Sequence, residues 1–188
     1  MPFRIFLGEI PYSERDTFWV SFESDPRLQK TRENIYGRCL PCIENLYRQL
    51  QEGRSEITLG QAFHCWKVTA VVGGIDACLA LLAEFERQSA GGHVYGKFGS
   101  GRPGSETRVV VFHTDTEAER DRIEGELRRC LPAVETGGEI VLSRACGILY
   151  DDILGDWRTW RPVTPIRHPE AVPTLLQRIR QTLFRSVM

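Results

Sequence analysis

The chain has 188 residues, 41% of them hydrophobic and 26% charged, which is apolar content for a well-formed core in a length that suits one domain. Its 24 Lys and Arg residues are balanced by 25 Asp and Glu, for a net charge of -1; this excludes a surface built throughout to hold a polyanion and leaves room for a local basic patch. No run of about 18 uncharged apolar residues is present to span a bilayer, and the opening Met-Pro-Phe-Arg-Ile-Phe-Leu-Gly-Glu is too short and too charged for an export signal, so a cytoplasmic protein with no membrane partner is expected.

In chain order, Phe3 to Ile10 and Thr17 to Phe22 have strand character around a turn at Pro11-Tyr12-Ser13, placed to extend a sheet or to cover its face. Residues 27 to 52 carry helical spacing at Ile35, Ile43, Leu46 and Leu50, but Gly37 and Pro41 interrupt it, so the helix is expected to start near Pro41. His64 to Val72 is rich in β-branched residues and stops at Gly73-Gly74, the pattern of a buried strand. Ile75, Cys78, Leu79, Leu82 and Phe85 then recur at helical steps up to Gly91-Gly92. Two strands, His93 to Phe98 and Thr107 to Thr114, form a hairpin around a tip of Gly and Pro. A second helix is expected from a Thr114 cap closed by Glu117, with a stripe of Ile123, Leu127, Cys130 and Leu131 and a stop at Pro132. Glu139 to Ala145 reads as the next strand. After Tyr150 a polar and aromatic linker leads past Pro173 into an amphipathic helix with Leu175, Leu176, Ile179, Leu183 and Phe184 on one side.

The order strand, helix, strand, strand, helix, strand over residues 64 to 146 resembles, in topology alone, the split βαβ unit of the ferredoxin-like fold. It predicts an α+β protein whose four-stranded antiparallel sheet carries both helices on one face. The organisation expected is one domain over 1–188. It comprises an N-terminal extension of two strands and a helix (1–63), the ferredoxin-like core (64–146), and a linker with a C-terminal helix (147–188). Pairing into a homodimer through the sheet edge or the last helix is expected.

The hairpin tip carries the first candidate site. Glycines let backbone N–H groups approach an anion closely, Lys97 and Arg102 add positive charge, and Ser100 and Ser105 add donors. The Gly-Lys-Ser/Thr ending of a Walker loop is absent, and the run joins two strands, so neither nucleotide fingerprint applies. The same composition also suits a plain exposed hairpin tip. With Phe98 opposite Thr107, one face of the hairpin shows His93, Tyr95, Lys97, Arg108, Val110 and Phe112. The ligand-binding set is then Tyr95, Lys97, Gly99, Ser100, Gly101, Arg102 and Arg108. RNA-recognition motifs share this strand order and stack bases on such a face, although the third strand here, Arg108-Val-Val-Val-Phe112, holds one aromatic residue and no Gly-Phe pair. From Trp157 onward six Arg stand against one Glu, a basic tail that adds to the RNA alternative.

Six cysteines without an export signal are expected to be reduced thiols. Cys39-Leu-Pro-Cys42 resembles a thioredoxin-type redox site, or half of a zinc site that His64, Cys65 or Cys146 would complete only through the fold. Asp151, Asp152 and Asp156 offer oxygen ligands but no Asp-x-Asp-x-Asp-Gly loop. Trp157 and Trp160 alternate with Arg158 and Arg161 and suit anchoring of the tail. His113, at a strand end, is the histidine to inspect in a cleft. No metal and no cofactor is expected. The expectation is a non-enzymatic protein that binds an anionic small molecule, a nucleotide or phosphorylated metabolite, with RNA binding or thiol or zinc chemistry at Cys39 and Cys42 as alternatives.

Overall fold

A computed structural model describes residues 3–8, 19–27, 31–100 and 107–184. Among the described residues the chain is mixed α+β, with a mostly antiparallel open sheet and five α-helices. In order the elements are β1 (Phe6–Leu7), β2 (Trp19–Glu23), α1 (Thr31–Gln51), β3 (Glu56–Thr58), β4 (Trp66–Val72), α2 (Ile75–Gln88), β5 (Tyr95–Ser100) and β6 (Arg108–Thr114). They continue with α3 (Glu117–Val134), β7 (Glu139–Arg144), α4 (Gly147–Leu154), β8 (Val163–Pro165) and α5 (Val172–Phe184). No helix among the described residues is long and apolar enough to cross a membrane.

Two compact units divide these elements. The first is Met1–Ile35 with Trp66–Leu142, the second Tyr36–Cys65 with Ser143–Met188. The first unit carries the six-stranded sheet, in the order β1-β2-β5-β6-β4-β7, with β1–β2, β2–β5, β5–β6 and β6–β4 all antiparallel. The N-terminal strands therefore extend the sheet beyond β5. Residues 11–13, read as their turn, lie outside the described residues.

Strand β4 shows why a sheet forms here. Trp66, Val68, Ala70 and Val72 are buried and the residues between them are not, the period-two burial of a strand with one face on a core. That core is closed by Cys78, Leu81, Leu82 and Phe85 of α2 and by Ile123, Leu127, Cys130 and Leu131 of α3. Leu81 is its contribution from the middle of α2, whereas Leu79, expected in the stripe, is exposed.

Three further boundaries differ from the sequence reading. Thr114 belongs to β6, opposite Trp66, and the cap of α3 is Thr116, two residues on. Glu119 N donates to Thr116 Oγ1 at 3.2 Å while Glu119 Oε2 accepts from Thr116 N at 3.2 Å, a complete capping box. Two Thr-x-x-Glu pairs overlap in this stretch, and the sheet claims the first threonine. Pro132 stands inside the last turn of α3, which runs on to Val134. Likewise α1 begins at Thr31, ten residues before the expected start, and contains Pro41. The carbonyl that Pro41 leaves without its helical donor is that of Gly37.

The second unit assembles the segments read as separate flanks. Strand β3 pairs with β8 in a two-stranded ribbon, Ile57 opposite Thr164. Leu46 and Leu50 of α1, Ile57, Leu59, Tyr150, Ile153 and Leu154 of α4, Trp160, and Leu175 and Ile179 of α5 form its core. Of the residues after Tyr150, read as linker, Asp151 to Leu154 complete α4, with Ile153 and Leu154 buried and the two aspartates exposed. Gln49 closes the free edge of β3 with its side-chain amide: Thr58 N donates to Gln49 Oε1 at 2.8 Å, and Gln49 Nε2 donates to the Thr58 carbonyl at 2.9 Å.

Candidate functional site

The pairing of β5 with β6 decides which side chains share a face. Phe98 stands opposite Val110, three residues beyond the expected Thr107. An odd shift turns every side chain of β6 over. Val110 and Phe112 therefore join Phe98 on the helix side, where the Phe112 ring packs edge-on against Phe22 at 4.9 Å and lies tilted against Phe85 at 4.8 Å. Burying the larger aromatic side chain settles the register. Gly96, opposite both Phe22 and Phe112, is where the sheet has no room for a side chain: a Cβ would lie 2.0 Å from the Val111 carbonyl oxygen and 2.4 Å from Phe22 Cζ.

On the other face three cross-strand rows result. Glu23, Tyr95, His113 and Lys67 form one; Ser21, Lys97, Val111 and Thr69 the next; Trp19, Gly99, Val109 and Val71 the third. The first row is a polar ladder. The His113 ring stacks on Tyr95 at 5.9 Å, and the His93 ring stacks on Tyr95 at 5.2 Å. Glu23 Oε1 lies 2.6 Å from His93 Nε2 and accepts from Asp25 N at 3.1 Å. Glu23, Tyr95 and His113 are buried, and half of the His93 side chain is exposed. In the second and third rows the Lys97 ammonium lies 4.1 Å over the ring of Trp19, a cation–π contact.

Of the expected ligand-binding residues, Tyr95, Lys97 and Gly99 share this face. Gly99 and Ser100 belong to β5, paired with Val109 and Arg108, so the strand takes in the first part of the glycine-rich run. Gly99 has φ +143°, a backbone value glycine alone adopts readily. Arg108 alternates with Val109 and so faces the helix side, where its charge acts on the Cys78 thiol; it does not share the face of Lys97 and Tyr95. Gly101 and Arg102 lie outside the described residues. The register is also why His113 and Trp19 escaped the sequence reading of the face: His113 changes sides with β6, and Trp19 enters only through the pairing of β2 with β5.

The remaining candidates separate. Asp152 pairs with Arg178 at 2.6 Å, and Asp156 caps the 3₁₀ turn at Trp157–Thr159 through Arg158 N. The Arg158 guanidinium lies 4.7 Å over Trp157, while Trp160 is buried with Nε1 donating to the Gly155 carbonyl at 3.0 Å. Among the described residues no group of three or more His, Cys, Asp or Glu side chains is placed to hold a metal ion. Cys78 and Cys130 are buried in the first unit, and burial pushes both thiols up, Cys78 to about 12. Cys39, Cys42, Cys65 and Cys146 all lie in the second unit, half-buried and reduced. No protein-family model matches the sequence, and neither the curated proteins nor the solved structures yield a match.

Proposed function

We propose that the protein is a non-enzymatic binder of an anionic small molecule carrying a flat ring, of the nucleotide class, held on the face of the sheet away from the helices. The observation that carries this reading is the Lys97 ammonium over the Trp19 ring, at the ends of β2 and β5 where the chain enters the glycine-rich run. Lys97 supplies the charge for a phosphate and Trp19 a ring for stacking, while Gly99, opposite Trp19, adds no side chain to that face. The arrangement β5-β6-β4-β7, with α2 and α3 leaving β4 and β6, supports the ferredoxin-like reading of the central unit. Phe6 and Leu7 of the edge strand β1, each about half exposed, are the apolar surface that supports pairing of two copies there.

Titration with a panel of nucleoside mono-, di- and triphosphates, followed by calorimetry, tests it. A phosphate-bearing member binds the native chain, and Lys97→Ala weakens it by about 10- to 100-fold, the range of a charge-assisted hydrogen bond worth about 1.5–3 kcal/mol. Trp19→Phe removes the accompanying fluorescence change. No binding by any member, or equal binding by Lys97→Ala, refutes the reading.

RNA is the second reading, favoured by the half-exposed His93 ring stacked on Tyr95. It requires affinity for a single strand to fall with salt at a log–log slope of about -0.7 per phosphate neutralised. A salt-independent signal removes it.

A further inference from the structure

We propose that Cys39 and Cys146 form a redox-active thiol pair, with the partner of Cys39 set by the fold and not by its neighbour Cys42. Cys146 Sγ lies 3.6 Å from Cys39 Sγ although 107 residues separate the two in the chain. A disulfide bond is about 2.05 Å long, so closure requires an approach of roughly 1.5 Å, within reach of side-chain rotation.

The pair suggested by the sequence is geometrically worse. Cys39 and Cys42 both lie within α1, and residues three apart on a helix hold their Cβ atoms about 5–6 Å apart. A disulfide needs about 3.5–4.5 Å. Linking Cys39 to Cys42 therefore distorts the helix, while linking Cys39 to Cys146 joins two different elements.

A buried tyrosine anchors the stretch of α1 that carries Cys39. The hydroxyl of Tyr150, a buried residue of α4, donates to the Cys42 carbonyl at 3.0 Å. Its phenol is pushed up first by burial and then, in the same direction, by Cys42, Cys146, Cys65 and Cys39. Cys65 is tied to the same turn, its carbonyl accepting from Ala145 N at 2.7 Å. Ala145 is the one non-glycine residue at positive φ, +56°, among the described residues, and it delivers the chain to Cys146 at the N-cap of α4. Cys146 stands at the N-cap of α4 without a side-chain cap hydrogen bond, at the end of the helix dipole that favours negative charge, and we take it as the attacking thiol. Cys39, Cys42, Cys65 and Cys146 are half-buried residues, unlike Cys78 and Cys130, which are buried.

The oxidant class is a low-molecular-weight disulfide. The Cys146 thiolate attacks one of its sulfurs, breaking that S–S bond and releasing one small thiolate. The Cys39 thiolate then attacks the Cys146 sulfur of the mixed disulfide, forming the Cys39–Cys146 bond and releasing the second small thiolate. Two protein thiols lose two electrons and two protons; the small disulfide gains both and leaves as two thiols. The product ties α1 to α4 within the second unit.

Equilibration of the full chain in glutathione buffers of graded ratio, acid quench, alkylation and tryptic mass spectrometry without reduction tests the pair. Peptide 39–48 joined to peptide 145–158 is expected, with fragmentation between Cys39 and Cys42 assigning the bond to Cys39. The link is expected to reverse with dithiothreitol and to survive Cys42→Ser. Cys39→Ser is expected to leave Cys146 as a stable mixed disulfide with glutathione. A Cys39–Cys42 link, loss of the link in Cys42→Ser, four thiols oxidising independently, or a stoichiometric metal ion that blocks oxidation until it is removed overturns the proposal. The native-chain measurement stands whether or not a variant folds.

Discussion

Cys78 shows what burial does to a single ionisable group. Its thiol is pushed up to about 12 mainly by loss of hydration, with Glu135 adding to the shift and Arg108 opposing it. The folded chain thus keeps this proton at pH values where the unfolded chain gives it up. The stability it contributes is complete below pH 9 and is lost as pH rises toward 12. By pH 10 the loss is about 1 kcal/mol. Urea midpoints at pH 7 and pH 10 are expected to fall for the native chain and to fall less for Cys78→Ala; equal slopes reject the assignment. The residue types on the helix side were legible from the sequence because Cys78, Leu82, Phe85, Ile123 and Leu127 keep helical spacing. Leu81 and Leu79 exchanged roles because two leucines two apart both fit a broad stripe, and spacing alone does not choose between them.

At the scale of elements, the sheet was legible where alternation was strong and obscure where it was not. Val109-Val110-Val111 offers the same side chain to both faces, so register there is set by Phe112 finding Phe22 and Phe85, a long-range condition absent from the local pattern. That register determined the membership of the candidate site, bringing in His113 and separating Arg108. In the second unit β3 has only three residues and one paired neighbour. Gln49 stands in for the missing strand with one donated and one accepted hydrogen bond to Thr58. Gln49→Leu keeps the apolar stem but removes the acceptor of the Thr58 N–H, while Asn45 Nδ2 still donates to the Thr58 carbonyl at 3.0 Å, and is expected to cost about 1–3 kcal/mol. Denaturant unfolding of the variant measures it, and a change under 0.5 kcal/mol rejects the clamp.

At the scale of the whole chain, each unit is made of two stretches, and the stretches interleave. Residues 36–65 share a core with residues 143–188, not with the strand that follows them directly. Sequence reading gave the order of elements correctly in the middle and treated the flanks as separate because no local signal joins Leu46 to Tyr150. Hydrogen exchange in rising urea tests the division. Amides of residues 43–50 and 150–154 are expected to become exchangeable at one common urea concentration, as members of one cooperative unit. Exchange of 43–50 in step with 67–72 instead reverses the assignment.

The interleaving also orders events at birth. As the chain leaves the ribosome, Leu46, Leu50 and Ile57 emerge long before Tyr150, Ile153 and Leu175, the side chains that later cover them. The first unit can bring β4, β5, β6 and α3 together in the meantime, leaving an apolar α1 face waiting in solvent. Nascent chains stalled between those two stages are the species a chaperone would meet, with 36–65 as the stretch it would hold.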